Sequence, residues 1–197
     1  ANGGAARDQL FGALKPVIGR QGVKPGQVML VHGQFIRPDQ VQELKSLGIF
    51  PSMFPMHTSY WGDWYKQIVG PEQAARISPM RSILNTGLHA TSHTDAPVAL
   101  PNLMQVAWAT VNRTSRSGTI IGAEERVTPY EAMKMITLWG AEQFGEQLLT
   151  DGGVDRGCGR LDRDFRFELP ALRKILAESG ADLVAGDQLA LDEVHRP

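Results

Sequence analysis

The stretch Val28-Met29-Leu30-Val31-His32-Gly33-Gln34 decides how the chain reads. Val28 to His32 is a short, continuous apolar run closed by a histidine, the pattern of a strand buried on both faces of a parallel sheet. Pro38 then opens a helix that turns Val41, Leu44 and Leu47 inward, and Gly48 stops it. Ile49 to Phe54 is the next strand, weakened by Pro51. Upstream, Leu10, Leu14, Val17 and Ile18 recur at helical spacing and predict a helix from about Ala5, bent at Pro16, before a turn over Gly22 to Gly26. Downstream, a short helical stretch follows Pro71, and Leu88 to Thr94 reads as a further strand ending at Asp95-Ala96-Pro97. Asn102 to Val111 is a helix with Leu103, Val106 and Ala107 on one face. Thr128-Pro129-Tyr130-Glu131 is a capping box that starts a helix through Met133, Ile136 and Leu138.

Strands alternating with helices make an α/β fold around a parallel sheet, either doubly wound or closed as a barrel. No glycine-rich phosphate loop follows any strand, so a nucleotide-binding sheet has no positive support. The polar residues at strand ends, His32, His57 and Asp95, suit a barrel whose chemistry sits at its C-terminal rim.

Composition narrows the function classes. With 20 basic and 21 acidic residues the net charge is −1, which argues against a phosphate-tracking nucleic-acid binder. Arg113, Arg116 and Arg126, spread among glycines and serines, read as solvated loop charge. The lone Cys158 offers neither an internal disulfide nor a cysteine-rich zinc site, and no stretch is apolar enough to span a bilayer. A reducing, cytoplasmic setting is expected. The opening Ala1-Asn2-Gly3-Gly4 carries neither an initiator methionine nor a signal segment, and reads as an internal start.

The candidate chemistry lies at the strand ends. His32 is placed to bind a divalent metal or a substrate oxygen, or else to bond a neighbouring backbone carbonyl. Asp95 can ligate a metal and take a proton from metal-bound water, the alternative being a turn-forming aspartate. His93 lies two residues before Asp95 and on a strand shares its face. His89 and His93 share that face too, but strand rise separates them by about 13 Å, too far for one ion. His57, with Trp61 and Trp64 in an aromatic loop, suggests substrate contact with an apolar wall; the indoles could equally cap the core.

Three segments in order, Val31-His32-Gly33-Gln34, Phe54-Pro55-Met56-His57-Thr58-Ser59-Tyr60-Trp61-Gly62-Asp63-Trp64 and His93-Thr94-Asp95-Ala96-Pro97-Val98, resemble the amidohydrolase superfamily. The branch is the one containing N-substituted formamide deformylase and the exoenzyme regulatory proteins. The likeness continues through Thr128-Pro129-Tyr130-Glu131-Ala132 and Trp139-Gly140-Ala141. It implies the C-terminal portion of a (β/α)8 TIM-type barrel, about strands 6 to 8 with their helices, over residues 1–146, followed by an atypical α/β tail over 147–197. It implies a divalent metal, commonly zinc, with His32 matching the sixth-strand histidine and Asp95 the eighth-strand aspartate, which serves as ligand and catalytic base. His57 falls where substrate-binding groups follow the seventh strand, and His93, Trp61 and Trp64 join it around the substrate. Ala1-Asn2-Gly3-Gly4 resembles the residues just after the fifth-strand histidine.

The resemblance implies hydrolysis of a C–N bond in a small amide or formamide-like molecule. His32 and Asp95 alone are too few for a tight zinc site, and a partial barrel leaves strand edges unpaired. Self-association into a homo-oligomer, or a complementing N-terminal half, is therefore expected. A non-catalytic binding or assembly module and an esterase or lactonase on the same scaffold are the competing readings. In the tail, Gly152 to Gly157 departs from the family pattern, and Ala181-Asp182-Leu183-Val184 follows an extra helix at about Pro170 to Glu178.

Overall fold

A computed structural model describes residues 2–24 and 27–144; the expected tail, with its extra helix, lies outside the described residues. Residues 1–145 make one compact unit. Helix α1 (Gly4–Gln21) leads into strand β1 (Met29–His32), helix α2 (Pro38–Leu47) and strand β2 (Phe50–Met53). Helices α3 (Met56–Ile68), α4 (Pro71–Ala75) and α5 (Met80–Leu84) carry the chain to strand β3 (Thr91–Ser92). Helices α6 (Leu103–Asn112), α7 (Pro129–Ile136) and α8 (Leu138–Gln143) follow.

The strands form one parallel sheet in the order β1-β2-β3, with Met29 opposite Phe50 and Ser52 opposite Thr91. Parallel neighbours need crossovers, and α2 and the α3–α5 run supply them. Pro51 sits in the central strand, yet β2 meets β3 only at Ser52 and Met53, so the missing N–H falls outside that ladder. The third strand is far shorter than the predicted Leu88 to Thr94; only Thr91 and Ser92 pair. No described helix is long and apolar enough to cross a membrane.

Local chemistry explains most boundaries. Pro38 starts α2 and Gly48, in the left-handed conformation, ends it. Asn102 caps α6 through the Gln105 amide, and Thr128 and Glu131 form the predicted capping box, worth about 1 kcal/mol. The predicted single helix through Leu138 is broken: Thr137, at φ −134° and ψ −91°, separates α7 from α8. In α1, Arg7 and Phe11 are the buried residues, whereas Val17 is 44% exposed. Arg7 is held by Gln40 Oε1 at 3.0 Å and the Asn2 carbonyl at 2.9 Å, so it ties α1 to α2.

The expectation of solvated loop charge fails at Arg113, which is fully buried. Its guanidinium donates to the carbonyls of Ile121 (2.7 Å), Ser78 (2.9 Å), Ile77 (2.6 Å) and Ala75 (3.3 Å). Burial draws its pKa down to about 10, which leaves it charged at neutral pH. A planar fork with five donors can satisfy carbonyls from separate segments at once, which explains an arginine here. Gly122 backs onto the same knot: its φ is +66°, and an added Cβ would lie 1.8 Å from the Ala75 carbonyl oxygen. Arg126 is half-buried and donates to the Asn112 carbonyl, while Arg116 is exposed and lies over the Tyr60 ring.

One core cluster contains Phe54, Met56, Ala99, Val106 and Ala109, with Tyr60, Trp61 and Trp108 packed on it. The aromatic segment is therefore part of helix α3 and not the loop its sequence suggests. Asp63 fixes the outer side of this helix, accepting from the Ser117 amide at 3.0 Å and from the Ser115 hydroxyl at 2.7 Å.

Candidate active site

Each strand delivers chemistry at its C-terminal end. β1 ends on His32, β2 runs through Phe54 into His57 in the first turn of α3, and β3 leads directly into His93 and Asp95. His93 still follows the sheet, its amide donating to the Met53 carbonyl at 3.0 Å. His32 (φ 73°) and Asp95 (φ 52°) are both left-handed, a conformation uncommon for non-glycine residues. Asp95 has thus left strand geometry, and the alternation argument that put it on the face of His93 does not govern its direction.

His32, His93 and Asp95 meet. Each offers a ligand atom, and these atoms all lie within 4.8 Å of one another. The His32 and His93 rings stack at 5.3 Å, and His32 Nε2 lies 3.1 Å from Asp95 Oδ2. That contact lacks hydrogen-bond alignment, and the buried Nε2 atoms of His32 and His93 have no hydrogen-bond partner among the described residues. Two orphaned imidazole nitrogens beside a carboxylate fit a cation better than they fit each other.

The outer hydrogen bonds favour the same protonation. His32 Nδ1 lies 3.0 Å from Asn2 Oδ1, an oxygen that can only accept, so Nδ1 carries a proton and the lone pair of the neutral ring is on Nε2. His93 Nδ1 lies 3.1 Å from Ser52 Oγ, a hydroxyl able to accept from Nδ1–H and so compatible with a lone pair on Nε2. Burial, followed by the nearby His32, lowers the His93 pKa to about 4, so the ring is neutral at neutral pH.

His57 is 5% exposed, a buried residue of α3 and not a loop histidine. Its ring meets Phe54 edge-on at 4.8 Å and His32 edge-on at 5.7 Å, and Trp61 lies 5.9 Å away. Burial, then the charges of His32 and His93, push its pKa down to about 3. His57 Nδ1 reaches Ser78 Oγ at 3.2 Å, and that hydroxyl donates to the Phe54 carbonyl at 3.0 Å.

A pocket of about 220 Å³ opens beside the cluster, walled by His32, Gln34, His57, Trp61, Trp64 and Asp95 among others. Trp64 is 55% exposed and stands at the rim, while Trp61 is half-buried against Phe54. His89 takes no part: it stacks on Trp139 at 4.6 Å and pairs with Glu142. Sequence reasoning gave no role to Gln34, Ser52 or Ser78. Of these only Gln34 left a signal, by lying two residues past the strand-end histidine.

Comparison with known proteins shows the family and the fold of the chain. Over 139 residues the chain is 27% identical to an N-substituted formamide deformylase of Arthrobacter pascens, covering 68% of this chain. It spans 26% of that relative's length. An uncharacterized metal-dependent hydrolase from Pyrococcus horikoshii OT3 superposes with a TM-score of 0.61 at 19% identity, over 74% of this chain and 29% of that one. Another from Pyrococcus furiosus gives 0.58 at 23% identity, over 75% and 28%. At these identities the two structures show a shared mixed α/β fold with a small parallel sheet. A family model described as the Amidohydrolase family matches residues 1–158, most of the chain, and the chain belongs to that family.

Proposed function

We propose that the chain forms part of a metal-dependent hydrolase on a (β/α)8 barrel, with β1, β2 and β3 as about strands 6 to 8. The observation that carries this reading is the convergence of His32, His93 and Asp95 with two buried Nε2 atoms that have no hydrogen-bond partner among the described residues. His32 and Asp95 hold a divalent cation, and imidazole with carboxylate donors suits zinc. His93, expected from sequence among the substrate contacts, is close enough to serve as a third donor. A cation held there supplies positive charge to a scissile carbonyl and acidifies the attacking water.

The chain's own residues do the rest. Asp95 accepts a proton from the water as its oxygen bonds to the carbonyl carbon. The same proton passes to the leaving nitrogen as the C–N bond breaks, giving a carboxylic acid and an amine. His57, Trp61 and Trp64 line the substrate, with the indoles forming an apolar wall. The substrate is a small amide or formamide-like molecule, a class supported by the name of the Arthrobacter relative. The edges of the sheet, β1 and β3, are completed by an N-terminal half or by a second copy.

Titrating zinc or cobalt into the full chain tests the centre. His32→Ala and Asp95→Asn should weaken binding at least about tenfold, and Trp64→Ala should leave it unchanged. Metal affinity untouched in both ligand variants would sink the proposal. N-substituted formamides and matching formate esters then separate the activities. Turnover of esters alone would make the site an esterase, and metal binding without any turnover would favour a binding module.

A further inference from the structure

Gln34 follows β1 by two residues, is 2% exposed and lines the pocket beside His32, His57 and Asp95. Its side-chain nitrogen is buried with no hydrogen-bond partner among the described residues. Buried amide donors are almost always paired, so an orphan on a residue that lines a pocket marks a place for a ligand acceptor. The backbone beneath it is fixed, because the Gln34 carbonyl accepts from the Ser78 amide at 2.8 Å.

Ser78 also fixes His57. Its hydroxyl has one hydrogen, which goes to the Phe54 carbonyl, so Ser78 Oγ must accept from His57 Nδ1–H. Nε2 of His57 is then the lone-pair nitrogen, an acceptor on a residue that lines the same pocket. Ser78 itself cannot drift, since it is fully buried and its carbonyl takes hydrogen bonds from Arg113 and from the Met80 amide.

We infer that Gln34 and His57 form a preset donor–acceptor pair that selects a secondary amide, Gln34 donating to its carbonyl and His57 Nε2 accepting its N–H. This rests on the hydrolase reading above and names the substrate class of that site. An ester or a tertiary amide of the same shape offers the carbonyl but no N–H, and leaves His57 Nε2 unpaired. Sites built to bond a polar hydrogen reject analogues lacking it much more strongly than apolar pockets reject a missing methylene.

The experiment titrates N-cyclohexylformamide, N-cyclohexyl-N-methylformamide and cyclohexyl formate into the full chain, following tryptophan fluorescence, to which Trp61 and Trp64 report from the pocket wall. The secondary formamide should bind at least about tenfold more tightly than the other two. Gln34→Leu and Gln34→Met should weaken all three ligands by a similar factor and keep their order, while His57→Phe should abolish the preference for the secondary formamide. Gln34→Met, which keeps an unbranched side chain of similar length and carries no donor, guards against a packing artefact. Equal binding of the three ligands, or wild-type affinity in the Gln34 variants, overturns this selectivity alone. Failure of all three to bind overturns the hydrolase reading together with it.

Discussion

Replacing Arg113 with methionine removes a buried cation and keeps an unbranched side chain, and the structure sets the size of the loss. Four carbonyls lose a donor, and that of Ser78 retains the Met80 amide at 2.9 Å. Those of Ala75, Ile77 and Ile121 are left short of a partner, at roughly 1–3 kcal/mol apiece. Against this, the chain no longer desolvates a guanidinium, which returns part of the cost. A net destabilisation of about 4 kcal/mol follows, among the larger effects of single substitutions. With a urea slope of about 2 kcal/mol per molar, the midpoint falls by roughly 2 M at unchanged slope. Arg113→Lys should fall between, because one ammonium cannot reach all the carbonyls of residues 75–78 and 121 that the fork holds. Equilibrium urea unfolding followed by circular dichroism measures both variants. A midpoint within about 0.5 M of wild type for Arg113→Met, at the same slope, would refute the idea that Arg113 ties these segments together.

Further outcomes follow from neighbouring parts of the molecule. Gly122→Ala forces a Cβ against the Ala75 carbonyl at a left-handed φ of +66° and should cost roughly 3 kcal/mol or more, read as a lowered melting temperature. Ser78→Ala removes the acceptor of His57 Nδ1–H; nitrogen-15 spectra should show His57 losing its single tautomer, and an unchanged tautomer would contradict the assignment. In the metal-free chain His57 and His93, with pKa values lowered to about 3 and 4, stay neutral where the unfolded chain titrates near 6.5. Their contribution is therefore fully present above about pH 6.5 and is lost as pH falls from there toward those values. The slope is up to about 1.4 kcal/mol per pH unit for His57 and smaller for the less buried His93. Urea midpoints that stay level between pH 7 and 5 would show that these rings are not held neutral.

The parts of the fold legible in the sequence are those fixed by local chemistry. Val28 to His32, Pro38, Gly48, Asn102 and the Thr128 box each carry their own instruction, and β1, α2, α6 and the start of α7 follow it. Strand-end reasoning singled out His32 and Asp95, which lie in contact. What was illegible depends on partners distant in sequence. Arg113 looks like loop charge because the carbonyls that bury it belong to residues 75–78 and 121. The Tyr60–Tyr65 segment reads as loop because α3 buries His57, Thr58, Ser59 and Gly62 beside Met56, so polar residues and a glycine interrupt its apolar face. The long third strand expected from the sequence puts His93 on the same face as Asp95. β3 in fact stops at Ser92, and the positive φ at Asp95 sets the direction of the carboxylate independently of strand alternation.

The left-handed backbone at His32 and Asp95 also bears on how this sequence can change over time. Each non-glycine residue held there costs on the order of 1–2 kcal/mol, a strain that glycine would remove. Selection for stability alone therefore pulls both sites toward glycine, and only a use for the imidazole and the carboxylate opposes it. A descendant gene released from that use should lose His32 and Asp95 early and become harder to unfold as it does so. Glycine at either position would thus serve as a molecular fossil of abandoned chemistry.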